Sequence, residues 1–400
     1  MMQRATDGSD RKIARLSGRE LERRWAGVRD HLTAHGLDAL IAQDSRDFTG
    51  GYGRWLTDVP AGYPRTVVFH ASDQMTVVEH GPAGRRRQLG EPDLDNPGVG
   101  EILMTAAFPS VHYTLHYDAD AIAEVLRHRG YRRVGLVGAS GMLHGFVARL
   151  TEALSGTVEL SDETDAIDRI KAVKSPEEIA MIRRTAEMQD IVLSKVLAGI
   201  RPGMRDFEVT ALAQCEGQRL GSEEGIFLGS SARLGQPAPF LARHLQGRTL
   251  RAGDYVSLLI ENNGGGGMYT ELARVIVLGK ASQELLEGFE IVKEAQAETV
   301  RRLRTGTPCR EIFAAHNKFL RQHGLPPEAR LYAHGQGYGL VERPLVRSDE
   351  PMTLENGMNM AVHPSYATSS LFVVICDNYL VEPDGAGGCL HKTPKRVFEL

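Results

Sequence analysis

Apolar and polar residues change period several times along the chain, and each change marks an element. From Glu20 to His35, apolar residues recur every three or four positions among charged ones, which predicts an amphipathic helix. Short runs rich in Val, Ile and Phe follow: DALIAQ from Asp38, TVVFH from Thr66 and MTVVEH from Met75. These read as strands. A helix over about Asp120 to Arg129 and a strand RRVGLVG from Arg132 continue the alternation, an α/β signature for this half.

At Ser161 a charged connection begins (SDETDAIDRIK), and a well-marked helix start follows it. Ser175 is the N-cap, Pro176 occupies the first helical position and Glu178 lies three residues after the cap, which together form a capping box. The predicted division is therefore an N-terminal domain over 14–165 and a C-terminal domain over 170–400. In the latter, helices are expected to about Gly199, over about Asp206 to Leu220, Ser282 to Arg304 and Cys309 to His323. Strands are expected at YVSLLIE from Tyr255, ELARVIVLG from Glu271, MNMAVHP from Met358 and LFVVICDNYLV from Leu371. The first two of these strands flank the Gly-rich turn NNGGGGMYT as a hairpin. Strands pairing around helices make this an α+β domain.

The chain has 400 residues, 42% hydrophobic and 24% charged, as expected of a globular protein with a sizeable core. With 47 basic against 51 acidic residues the net charge is −4, so no basic stripe exists for nucleic acid or an anionic membrane, and small molecules or protein are the expected partners. Four scattered cysteines, Cys215, Cys309, Cys376 and Cys389, disfavour a disulfide framework and a cysteine zinc cage. The first dozen residues are polar, and no apolar run approaches the roughly 20 residues of a membrane span. A cytoplasmic protein is expected.

Charged residues inside apolar strands carry the chemical information, because burying a charge costs several kcal/mol unless it is paired, ligated or aimed at a ligand. Glu261 ends one apolar strand and Glu271 opens the next across the Gly-rich turn. His244 precedes the turn leading into the first. His334 sits in AHGQGYG, His363 ends the run MNMAV, and Cys376 and Asp377 interrupt the last strand. Each has a structural alternative: a strand-end His is commonly just hydrogen-bonded, and a strand-end Glu guards an edge. The run Gly264–Gly267 lacks the Lys-Ser/Thr of a phosphate loop and reads as a flexible hairpin connection.

In order and spacing these residues resemble the active-site ladder of the creatinase/prolidase family, the pita-bread metallopeptidases that include methionine aminopeptidases. His244 precedes Glu261 by 17 residues, as a family His precedes the first metal-binding Asp. Glu271 lies in TELAR, where Arg274 matches the family arginine of Ser-Asp-x-x-Arg. His334 lies in AHGQGYGLVERP in place of Gly-His-Gly, and 29 residues later His363-Pro364 stands where the family has Glu-Pro. Cys376, in ICDN, occupies the place of the last family Glu, and KSPEEIAMIRR from Lys174 is another family hallmark. The resemblance implies an α/β N-terminal domain, a pita-bread catalytic domain and a homodimer.

The departures shape the expected chemistry. A bridged pair of divalent ions needs about five ligands, mostly short carboxylates at about 2.0–2.2 Å. Here both Asp positions are Glu and both late Glu positions are His363 and Cys376, so a standard dinuclear centre is not expected. A single ion on Glu261, Glu271, His334 and His363 is chemically accessible, and two His with two carboxylates suit iron, zinc or manganese. The branch of the family resembling creatinase and ectoine hydrolase works without metal. By that resemblance His244 shuttles protons, Glu261 and Glu271 polarise substrate, and His334 and His363 orient it. It also implies an arginine from the partner's N-terminal domain on the substrate carboxylate, with Arg54 or Arg65 as candidates. Tyr338 takes a ligand place if the motif is read in the family's longer form, and it can line the pocket as a hydrogen-bond donor; Cys376 lines the same pocket. The expected function is metal-independent hydrolysis of a C–N bond, amide or amidine, in a small carboxylate-bearing compound; no cofactor is favoured, and a single divalent ion of iron, zinc or manganese is the alternative. The alternatives are a metal-dependent Xaa-Pro-type peptidase or lyase with a mononuclear site, and a non-catalytic binding module on the same fold.

Overall fold

The N-terminal sheet is built by alternation. A computed structural model describes residues 15–44, 51–90 and 93–400; the polar first dozen residues lie outside them. Strands β1 (Ala39–Asp44), β2 (Arg65–His70), β3 (Met75–His80), β4 (Arg86–Gln88), β5 (Val99–Thr105), β6 (Arg133–Val137) and β7 (Glu159–Asp162) form one mixed sheet in the order β4-β5-β3-β2-β1-β6-β7. Leu40 and Ala42 face the core under α1 (Gly18–His35), whereas Ala39 and Ile41 face α3 (Leu115–His128) and α4 (His144–Leu154). With both faces covered, the inner strands β1, β2, β3 and β6 carry nearly continuous buried runs, whereas the edge strands β4 and β7 are polar and largely exposed. Helices α2 (Tyr52–Thr57) and α5 (Thr164–Ala172) complete this half. The charged connection after Ser161 is thus partly helical, because Ile167 packs into the first core and Lys171 is buried.

Ser175 caps α6 (Pro176–Gly199) with the reciprocal Ser175–Glu178 capping box expected from the sequence. After α7 (Asp206–Arg219), strands β8 (Gly225–Arg233), β9 (Asp254–Asn263) and β10 (Tyr269–Val277) form an antiparallel meander. Helices α8 (Gln283–Val300) and α9 (Cys309–Gln322) precede β11 (Ala333–Gly335), β12 (Glu342–Leu345), β13 (Asn359–Val362), β14 (Ser365–Ala367), β15 (Phe372–Val374), β16 (Asp377–Glu382), β17 (Gly385–Cys389) and β18 (Phe398–Glu399). The meander joins β18 in the order β18-β10-β9-β8, and a second sheet runs β12-β11-β13-β16-β17. The run LFVVICDNYLV, expected as one strand, is divided at Ile375–Cys376: Phe372–Val374 pairs with β14, Asp377 onward pairs with β13, and Cys376 between them bridges Ala273 of β10. The tail thereby crosses from one ladder to another and holds the two larger sheets together. Among the described residues no helix is long and apolar enough to cross a membrane.

Two buried ionic clusters fix the halves together. Arg24 of α1 is wholly buried; it donates to Glu20, to the Trp55 carbonyl at 2.7 Å and to Glu178 of α6 at 2.8 Å, and it lies over the rings of Trp55 and Tyr338. Lys171 and Lys174, which bracket the α5–α6 junction, both pair with Glu342 of β12, at 3.2 and 2.9 Å. Burial alone raises the Glu342 pKa, but the two lysines outweigh it and hold the carboxyl down to about 2. A folded pKa below the ordinary glutamate value means that this pairing stabilises the fold above about pH 4.5 and that the contribution is lost as pH falls toward 2. In Glu342→Gln, unfolding by urea at neutral pH is expected to cost about 3–5 kcal/mol less, because two buried ammonium groups lose this shared carboxylate, and the wild-type loss of stability on acidification should shrink. A substitution without effect at neutral pH would mean that the lysines find other partners.

Candidate active site

Side-chain alternation brings the chemistry to one face of the meander. On β9, Val256, Leu258 and Ile260 point toward α6 and α7, whereas Tyr255, Leu259 and Glu261 point the other way. Glu271 is directly opposite Glu261 in the ladder, and both are almost fully buried, at 4% and 6% exposure. Ala273, two residues further along β10, stays on that face and is bridged by Cys376, whose thiol is directed at the Glu271 carboxylate. Opposite stands β11 with His334. Its Nε2 is 3.7 Å from Glu271 Oε2, and its ring meets that of His363 edge-on at 5.1 Å. The structure thus gathers Glu261, Glu271, His334, His363 and Cys376 around one point. The neighbouring Asp377 faces away, onto Arg274 at 2.7 Å, with both side chains fully buried.

Burial sets the electrostatics. It pushes Glu271 up to about 7 and, with the charge of Glu271 beside it, holds Glu261 well above the ordinary carboxylate range. Burial also presses His334 down to about 4 and, together with His334, keeps His363 well below the usual imidazole range. Both rings are therefore neutral. The His334 Nδ1–H donates to the Gly335 carbonyl at 2.9 Å, which leaves the Nε2 lone pair facing Glu271. His363 Nε2 is a buried atom with no hydrogen-bond partner. Ligand atoms of Glu271, His334 and His363 lie within 4.8 Å of one another. Two imidazole nitrogens and a carboxylate converging with no hydrogen bond between them are the donor set of a divalent transition-metal ion, so these three residues fit such a group.

A network that the sequence reading missed holds the carboxylates in register. The Glu271 N–H donates to Asn378 Oδ1 at 2.7 Å, the Asn378 amide donates to Gln336 Oε1 at 2.8 Å, and the Gln336 amide donates to Glu261 Oε1 at 2.9 Å. Gln336 lies two residues after His334 in AHGQG, just past the end of β11, and this closeness to a candidate site residue was the available signal. Tyr269, next to the hairpin turn, was also missed: its hydroxyl is buried without a partner, with Glu224, Glu261 and Arg54 in electrostatic reach.

Other expected site residues lie elsewhere. His244 is exposed in the turn Arg243–Leu245, and among the described residues no hydrogen bond or ion pair joins it to the carboxylates. Arg54 pairs within its own chain with Glu223, and its guanidinium lies over Tyr338 and against Gly267. Arg65 is buried in the N-terminal half against Thr57, Glu79 and Asn96. Tyr338, its pKa pushed up to about 12 by burial, is clasped between Arg24 and Arg54, which makes it a junction residue. The turn expected to be a flexible connection is closely packed. The Gly266 N–H donates to Glu223, and a Cβ at Gly267, at φ +87°, would strike the Arg54 guanidinium.

The chain is 24% identical over 276 residues to an Xaa-Pro dipeptidase of Pyrococcus furiosus, covering 67% of this chain and 75% of that one. It is 25% identical over 239 residues to a probable dipeptidase PepE of Mycobacterium bovis, 57% and 62% of the respective lengths. Its fold matches that of an X-Pro aminopeptidase from Thermotoga maritima with a TM-score of 0.76 at 16% identity, covering 94% of this chain and 99% of that one. The dipeptidase PepE of Mycobacterium ulcerans superposes with a TM-score of 0.74 at 20% identity, covering 96% and 99%. These likenesses give the pita-bread architecture, with an N-terminal domain before a catalytic one. Residues 180–383, about half the chain and the part that carries both carboxylates and both histidines, match the model of metallopeptidase family M24, and the protein belongs to that family and is a hydrolase.

Proposed function

We propose that this hydrolase cleaves a C–N bond, amide or amidine, in a small carboxylate-bearing compound, without a dinuclear metal centre. The observation that carries the proposal is the direct cross-strand pairing of Glu261 with Glu271 beside His334 and His363. Glu261 is the proton carrier. Its Oε1 is oriented by Gln336, and it takes the place expected for His244, which stands exposed and unconnected to the pair. In the reaction a water oxygen bonds to the substrate carbon and gives its proton to Glu261. The C–N bond then breaks, and Glu261 passes that proton to the leaving nitrogen. Glu271, His334 and His363 form the opposite wall, and an ion held there would polarise the substrate oxygen or nitrogen. The relatives named as dipeptidases support a substrate of peptide size.

Arg54 is the proposed holder of the substrate carboxylate. It packs on the hairpin turn between the two glutamate strands, and its guanidinium already pairs with one carboxylate, that of Glu223, which supports this reading. A homodimer belongs to the same proposal.

Turnover is expected with at least one member of a panel of Xaa-Pro dipeptides, N-acyl diamines and amidino acids, followed by release of amine or ammonia. Glu261→Gln should lower kcat by about 10²- to 10⁴-fold with little change in KM. Full activity of that variant would remove Glu261 from the reaction, and a panel without turnover would favour a binding module. Arg54→Gln should raise KM for the carboxylate substrate by about tenfold, equivalent to about 1.4 kcal/mol, while the corresponding substrate amide should be processed equally by both proteins. Light scattering of the full chain should give the mass of two copies; a monomer would end the homodimer part of the proposal.

A further inference from the structure

We infer that Glu271, His334 and His363 form a site for one transition-metal ion, and that Gln336 and Cys376 close the place a second ion would need. This holds whatever the substrate is, since it concerns only which donors point inward. One ligand atom from each residue converges, a carboxylate oxygen of Glu271 and a ring nitrogen of His334 and of His363; the His334 Nε2 is left free by the Nδ1 bond to Gly335, and the His363 Nε2 has no partner although it is buried. At 3.7 Å, the separation between Glu271 and His334 is too long for a hydrogen bond and leaves room for a bridging ion. Two imidazoles and one carboxylate suit iron or zinc better than the hard cations, which prefer oxygen donors only.

The second ion is excluded on the other side of Glu271. Glu261 Oε1 already accepts from the Gln336 amide, a group that repels cations and is itself fixed by Asn378. Cys376 places a buried thiol against Glu271 where another carboxylate would be required to neutralise two cations. Cys376 lies outside the three-residue group whose ligand atoms converge, so it positions the ligand Glu271 without binding the ion.

The full-length chain, stripped with chelator and reloaded with Co(II) or Zn(II), should retain one ion per chain by plasma mass spectrometry. The Co(II) protein should show visible d–d bands and lack the near-ultraviolet thiolate-to-cobalt charge-transfer band. Thermal unfolding should shift upward on loading. His363→Ala should lose the ion and that shift, while its metal-free unfolding matches that of the metal-free wild type. Should that variant misfold, Cys376→Ala carries the test: one ion per chain, held about 10- to 100-fold more weakly. Two ions per chain at saturation, none retained, a charge-transfer band, or unchanged affinity in Cys376→Ala would each overturn the assignment. Absence of an ion alongside continued hydrolysis would defeat this inference and leave the hydrolase proposal standing.

Discussion

Two carboxylates buried face to face on neighbouring strands cannot both carry an uncompensated charge, and much of this catalytic domain is arranged around that constraint. Glu261 and Glu271 sit in direct register, so neither can turn away without breaking the β9–β10 ladder. Relief comes from burial, which raises the pKa of both carboxyls, and from the second sheet, where the Gln336 amide donates to Glu261 and is itself held by Asn378, the acceptor of the Glu271 N–H. The same network therefore joins the sheets and sets the site, and a strand slip of one residue would send both carboxylates to the α6–α7 face.

The N-terminal domain contributes to this arrangement from outside. Arg24, Arg54 and Tyr338 stack at the junction, and Arg54 presses on the hairpin turn whose two ends are the glutamate strands. The glycines there are needed for close approach, since a side chain at Gly267 would meet the guanidinium. Arg24 shows the same economy, pairing with Glu178, the residue that also closes the α6 capping box. Cap, junction and hairpin turn thus share residues, which ties the turn between the glutamate strands to how the two halves are held.

Local chemistry made much of the fold legible. The capping box at Ser175, the hairpin about the Gly-rich turn and the strands around Asp38, Thr66 and Met75 all follow from patterns spanning fewer than about ten residues. Glu261, Glu271, His334 and His363 were legible for a similar reason: a charged or titratable side chain in a run of buried apolar residues needs an explanation, and the ladder of spacings supplied one. What failed depended on distant partners. The segment after Ser161 looked like a connection because its helix is stabilised by Ile167 entering a remote core and by Lys171 reaching Glu342. The strand at Leu371 looked continuous because nothing local marks the point where the chain leaves one ladder for another.

The sequence by itself determined the order of the main helices and strands and the spacing of the candidate site residues, because residue identity and spacing are local and one-dimensional. Only the tertiary structure decided which way each donor points. It turned Cys376, at the break between two strands, toward Glu271 and the adjacent Asp377, which opens β16, toward Arg274. It left His244 on an exposed turn, gave Tyr338 to the domain junction and brought Gln336, unremarkable in sequence, onto Glu261. The physical reason is that direction depends on register and sheet crossing, and both are set by contacts between segments about a hundred residues apart or more, such as Glu271 with Asn378.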